Sequence, residues 1–162
     1  MKRSAGILTY KIEDNIIKVL LCHFGGPYWK NTDIGGWTLS KGEVSKKEKV
    51  LETAKREFME ETNLNIVTPI NYLGTKKISR KKLAIMFYTN SDFTLTNCKS
   101  NTFELELPKG SGNIQSFPEM DKYEWISIDE AKEKIIKNQL YFLDKLEQKL
   151  RKWYKWMKIK QI

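Results

Sequence analysis

The chain has one histidine, two cysteines and no long apolar run. No stretch approaches the roughly 18 consecutive apolar residues of a membrane span. The longest aliphatic clusters, Ile16-Ile17 and Val19-Leu20-Leu21, are parted by Lys18. Met1-Lys2-Arg3-Ser4 has neither an apolar core nor a small-residue cleavage site behind it, so no signal peptide is expected. Cys22 and Cys98 lack metal-ligand spacing, and without a secretory signal they read as free thiols of a reducing cytoplasm. Internal repeats, low-complexity tracts and linkers are missing too. A length of 162 residues therefore suits one domain over 1–162.

What is there is ordinary for a globular protein: 40% hydrophobic and 30% charged residues. The net charge of +9 favours polyanionic partners, although lysines spread this evenly also suit a plain solvated surface. Ala5 to Lys11 and Lys18 to Cys22 read as a strand pair about Glu13-Asp14-Asn15. A loop rich in glycine and aromatics follows, then Gly35-Gly36 and the short segment Trp37-Thr38-Leu39. Val50, Ala54 and Phe58 fall four apart and predict a helix from about Lys47 to Glu61. Asn63 stands where that helix needs a left-handed residue to close it. Leu83 to Thr89, Thr102 to Leu107 and Trp125 to Ile128 read as further strands, with a loop at Gly110-Ser111-Gly112. Ser127 or Asp129 caps a helix starting near Glu130. A last helix, about 139–158, carries Leu143, Leu146, Leu150, Trp153 and Met157 on one face. Strands around one central helix, followed by C-terminal helices, imply a mixed sheet between helices.

The chemistry concentrates between Gly42 and Leu64. Glu57, Glu60 and Glu61 project to roughly one face of the predicted helix. Like charges at this spacing repel, and they sit near the helix C-terminus, where the macrodipole disfavours anions. A solvated acidic face neutralised by lysines would tolerate this. A divalent cation would reverse the penalty, and hard oxygen ligands suit magnesium or manganese.

The full pattern is Gly42, five residues, Glu48, seven residues, then Arg56-Glu57-Phe58-Met59-Glu60-Glu61-Thr62-Asn63-Leu64. It resembles the Nudix box, with every charged position at the right spacing. Two departures are Asn63, where the family usually has Gly, and Ser40, where Pro commonly precedes Lys-Gly. Asn tolerates the left-handed backbone best of the non-Gly residues, so a small stability cost is expected there. Trp37 to Glu43 and Phe117-Pro118-Glu119 followed by Trp125 extend the likeness over roughly Ser4 to Leu146. Gly25-Gly26-Pro27-Tyr28-Trp29 and Ser100-Asn101-Thr102-Phe103-Glu104-Leu105-Glu106 look like segments of the bacterial-type subgroup described as diadenosine tetraphosphate hydrolase-like.

The resemblance implies an α/β/α sandwich with a mixed β-sheet. It also implies a metal-dependent pyrophosphohydrolase that cleaves a nucleoside diphosphate linked to another group by water attack on phosphorus. Glu57 and Glu61 would be the main ligands of Mg2+ (or Mn2+), with Glu60 completing the site and a backbone carbonyl near Gly42 adding a donor. Arg56 and Glu48 would pair and orient them. Glu119 is the candidate for a further ligand or the general base. Lys41 is placed to meet a phosphate, and Tyr28, Trp29 or Phe103 to stack on a base. His23 could reach a phosphate or serve the local structure. Lys76, Lys77, Arg80 and Lys81 could extend a cationic strip for a dinucleoside polyphosphate. Nucleoside triphosphates and capped RNA are the alternative substrates. A non-catalytic nucleotide-binding module is the alternative class, which the complete set of box carboxylates disfavours. The basic aromatic run Lys149 to Trp156 could meet RNA or an anionic membrane; a helix that packs its tryptophans on the sheet with its lysines in water is favoured over both, so RNA is not a favoured partner and no membrane partner is expected.

Overall fold

The computed structural model describes residues 1–160, with side chains to Trp156. Strands β1 (Lys2–Glu13) and β2 (Ile16–Phe24) pair antiparallel about Asp14 and Asn15. Both turn residues have positive φ, the conformation that two-residue hairpins require and Asp and Asn tolerate. β3 (Trp37–Thr38) lies along β2, and β4 (Ser40–Glu43) returns along β1. Helix α1 (Val50–Thr62) leads to the hairpin β5 (Asn71–Ser79) and β6 (Lys82–Asn90). β6 pairs with β1 in parallel, so the seven-stranded sheet is mixed. β7 (Thr102–Glu106) and β8 (Ile114–Pro118) form a separate hairpin. β9 (Met120–Ser127) then rejoins the sheet beside β2. Helix α2 (Ile128–Lys134), a short 3-10 turn and helix α3 (Leu140–Lys160) complete the described chain.

Alternation along β1 and β2 sends side chains to two cores. Ala5, Ile7 and Leu20 meet Ala54 and Phe58 of α1 on one face. Leu8, Val19 and Leu21 meet Ala131, Phe142, Leu143 and Leu146 of α2 and α3 on the other. The result is the α/β/α sandwich with a mixed sheet, and α1 has one face of it largely to itself.

Several boundaries differ from the sequence reading. α1 begins at Val50 instead of Lys47. Lys46, Lys47 and Lys49 oppose the positive end of a helix dipole, and the chain stays in a turn until they are passed. Ser127 is the cap of α2, accepting from the Glu130 N–H. The strand read as Trp125 to Ile128 runs from Met120 to Ser127, with Ile128 already helical. β5 and β8 escaped the pattern reading. β5 is an edge strand whose exposed Lys76 and Lys77 hide its alternation, and charge of this kind keeps sheet edges from pairing with other chains. The expected stripe on α3 holds only to Leu150. Trp153 is 50% exposed instead of packing on the sheet, because the helix there has run past the domain. Met157 lies outside the described side chains.

Candidate active site

β4 and α1 place the box residues on the α1 face. β4 runs antiparallel to β1 with Gly42 opposite Ala5 and Lys41 opposite Gly6. A Cβ built on Gly42 would fall on the Glu57 carboxylate, so only glycine lets that carboxylate lie against the strand. At the other end of α1, Asn63 takes φ 60° and ψ 22°, and its N–H caps the Met59 carbonyl at 2.8 Å. Its side-chain amide also donates to the Asn97 carbonyl, at 3.2 Å.

Arg56 is the hub of the charged cluster. Its Nε and Nη2 donate to the two Glu48 oxygens at 2.8 and 3.0 Å, a fork-to-fork pair. Its Nη1 donates to Glu57 Oε1 at 2.9 Å and Glu60 Oε2 at 3.1 Å. These carboxylates, Glu48 foremost, push the guanidinium pKa further up.

Glu61 is the most buried of the acids, at 4% exposed, and its Oε2 has no hydrogen-bond partner. Burial, then Glu57 and more weakly Glu119, push its pKa up to about 8. Ser40 and Lys41 pull the other way, although the buried Ser40 hydroxyl completes no hydrogen bond of its own. Burial raises Glu57 as well, against the pull of Arg56. Glu119 is raised by burial, Glu57 and Glu60. Lys41 is partly buried, and its pKa is lowered by burial and Lys82 while Glu61 and Glu57 oppose. The acids sense one another as anions repelled in a half-dry site.

The cluster brings together oxygen donors, mutual repulsion and an orphaned buried acceptor, features that a hard cation would neutralise. Among the described residues, no three acidic, histidine or cysteine side chains stand together as a finished metal cage. In this structure Arg56 holds Glu57 and Glu60.

Glu119 is brought to the cluster by main chain. The Asn101 N–H donates to the Glu60 carbonyl at 2.9 Å, the Glu119 N–H to the Asn101 carbonyl at 2.9 Å, and the Gly25 N–H to the Glu119 carbonyl at 2.8 Å. A ladder outside the main sheet thus joins α1, the 101 segment, Glu119 and the Gly-Gly-Pro loop. The two loop segments also meet through side chains. Gly26 has φ 93°, and a Cβ there would press into the Phe103 ring. Phe103 packs near Phe117, and Trp29 lies 4.7 Å from Phe24, ring centre to ring centre. Tyr28 is 74% exposed.

Other candidates lie elsewhere. Buried His23 faces α2 and α3, with Nδ1 at 2.6 Å from Asp121 and Nε2 at 2.6 Å from the Thr32 carbonyl, which gives it a structural setting. Lys76 lies over the Tyr141 ring of α3, on the face opposite α1. The sequence reading names Asn101 only within a subgroup segment and gives it no place beside the carboxylates, where it acts through its backbone. It also missed Tyr123, whose hydroxyl donates to the Glu61 carbonyl at 2.5 Å. Lys82 was overlooked as a charge near Lys41 because it belongs to a distant strand.

The sequence matches the NUDIX domain family over residues 2–157. The chain belongs to the Nudix family. It is a Nudix pyrophosphohydrolase, and this family generally uses divalent metal ions. No curated protein matches it in sequence. Among solved structures it is similar to the NUDIX domain of Shewanella oneidensis NrtR complexed with ADP ribose, with TM-score 0.64 and 14% identity over 91% of this chain and 87% of that one. It is also similar to a Caenorhabditis elegans Ap4A hydrolase binary complex, with TM-score 0.61 and 18% identity over 93% and 98%. A mutT/nudix family protein from Listeria innocua gives TM-score 0.64 and 17% identity over 94% and 96%. At these identities the likeness is one of fold. Among the described residues, no helix is long and apolar enough to cross a membrane.

Proposed function

We propose that this Nudix chain cleaves a dinucleoside polyphosphate such as diadenosine tetraphosphate, with Mg2+ (or Mn2+) held by Glu57, Glu60 and Glu61. The observation that carries the metal half is Glu61, buried with an unpartnered oxygen among other acids that raise its pKa. A Gly42 carbonyl on β4 would complete the donor set. When bound, the cation would polarise phosphate oxygens and lower the pKa of the attacking water. Arg56, gripped by Glu48, would orient Glu57 and limit its repulsion from Glu60. Glu119, with a raised pKa, suits the acceptance of a proton from water. Lys41 would meet a phosphate as its charge spreads in the transition state. Free Cys22 and Cys98 support a reducing, cytoplasmic setting.

The substrate half rests on the junction of the two loop segments. Gly26 against Phe103, with the exposed Tyr28 on the same loop as Gly26, would form an aromatic wall near Glu119. Such a wall suits one base of a two-base substrate. The fold shared with the Caenorhabditis elegans Ap4A hydrolase is compatible with this reading. The test is kcat/KM for diadenosine tetraphosphate and for each nucleoside triphosphate in one magnesium buffer. The dinucleotide is expected to be cut faster. A tenfold preference for any triphosphate, about 1.4 kcal/mol in transition-state binding, would overturn the substrate and leave the hydrolase standing.

A further inference from the structure

The last turn of helix α1 is the least self-sufficient part of the candidate site. It carries Glu60 and Glu61 at the negative end of the helix dipole, and α1 has no basic residue in that turn to offset them. The last four carbonyls, Met59 to Thr62, have no partner within Val50–Thr62, and a helix end of this kind frays unless outside donors meet it. Each of the four is met. Met59 accepts from the Asn63 N–H at 2.8 Å, Glu60 from the Asn101 N–H at 2.9 Å and Thr62 from the Lys99 N–H at 3.4 Å. The Glu61 carbonyl accepts from the Tyr123 hydroxyl at 2.5 Å. Three of these donors are main-chain groups that most residue types supply. The fourth is a side chain that one substitution removes.

Tyr123 lies on β9, which is paired with β2 and sets Tyr123 opposite Cys22. Its ring packs against the core that Ala54 and Phe58 of α1 share with the sheet. A tyrosine is a stiff strut with two side-chain torsions, so the sheet fixes where its hydroxyl stands. Glu119 directly precedes the same strand, and the Asn101 main chain ties it to the Glu60 carbonyl. The last turn of α1 is thus tied to the segment from Glu119 to Tyr123 at two successive carbonyls. Successive residues lie about 100° apart around a helix axis. One tie would let the turn roll, whereas two hold it against both shift and roll. We infer that Tyr123 is a positioning residue for the hydrolytic reaction: its hydroxyl, through the Glu61 carbonyl, sets where the Glu61 carboxylate stands relative to Glu119. That carboxylate has an unpartnered oxygen, so the main chain of Glu61 carries much of its placement. The inference rests on the reading of Glu61 as a metal ligand.

The experiment is a titration of the full chain with Mn2+, read from the electron paramagnetic resonance signal of the free ion. The probe is the metal alone, so the outcome does not depend on which substrate the enzyme takes. Tyr123→Phe keeps the ring and its packing and removes only the donor. It is expected to weaken Mn2+ binding about tenfold, the loss that a group orienting a ligand brings. Glu61→Gln, which removes the ligand itself, should lose at least as much. Thr89→Val is the control for plain destabilisation. It removes a hydroxyl that donates to the Pro69 carbonyl at 2.8 Å, the same kind of bond, here joining β6 to the segment before β5. Its Mn2+ affinity should stay parental while its melting temperature falls. All titrations are run well below the melting transition of each variant. Parental affinity in Tyr123→Phe beside a loss in Glu61→Gln would overturn this inference and leave Glu61 as a ligand. Equal losses in Tyr123→Phe and Thr89→Val would overturn it too, making Tyr123 a general stabiliser. Parental affinity in Glu61→Gln, or no Mn2+ bound by the parental chain, would overturn the metal reading and this inference with it.

Discussion

Glu61 is a carboxylate kept almost dry, with one oxygen unpartnered and other acids nearby. Ionising it in the metal-free protein is costly, and the cost has a direction in pH. Its folded pKa of about 8 lies above the ordinary 4.5, so the folded state binds more protons in that interval. Stability from this group is complete below 4.5 and is lost as pH rises towards about 8. The melting temperature of the metal-free protein should therefore fall across that window. Added magnesium should flatten the slope, as should Glu61→Gln; calorimetry across pH reads both. The same substitution bears on catalysis. A neutral amide is a poor ligand for a hard cation, so Glu61→Gln should lower turnover at least about a hundredfold with the melting transition intact. Parental rates in that variant at saturating magnesium would remove Glu61 from the proposed metal site.

At the scale of elements, α1 depends on how it stops. Asn63 closes it in the left-handed region and also reaches the Asn97 carbonyl. Alanine at position 63 loses that side-chain bond and adopts the left-handed backbone poorly, so Asn63→Ala should destabilise the fold by about 1–2 kcal/mol. Urea denaturation measures this, and an unchanged midpoint would refute it. The helix was legible in sequence because Val50, Ala54 and Phe58 mark its buried stripe and the box fixes its charges. Its start was not, because lysine repulsion at a helix N-terminus competes with periodicity. β5 and β8 were illegible for a related reason: neither has a cleanly alternating buried face, so a period of two leaves little trace. Within the site, the carboxylates were readable from spacing. Asn101 was not, since a main-chain N–H and C=O make its two bonds and any residue type but proline supplies both. Nor was the end of α3, because Trp153 continues the stripe in sequence after the sheet beneath it has ended.

Across the whole molecule, a charge of +9 surrounds a small acidic site. Such a field draws polyanions in and fades with salt over a Debye length of about 10 Å at 0.1 M. For diadenosine tetraphosphate, kcat/KM should fall several-fold between about 0.01 and 0.2 M salt, through KM with little change in kcat. Steady-state kinetics at fixed magnesium checks it, and a flat KM would mean that the surface lysines take no part in capture. The main-chain ladder from Glu60 through Asn101 and Glu119 to Gly25 has another kind of consequence. Its rungs survive the exchange of most side chains, so the loops proposed to meet the substrate can drift in sequence while their distance from α1 stays fixed. A lineage carrying this scaffold can change what it eats without rebuilding how it cuts.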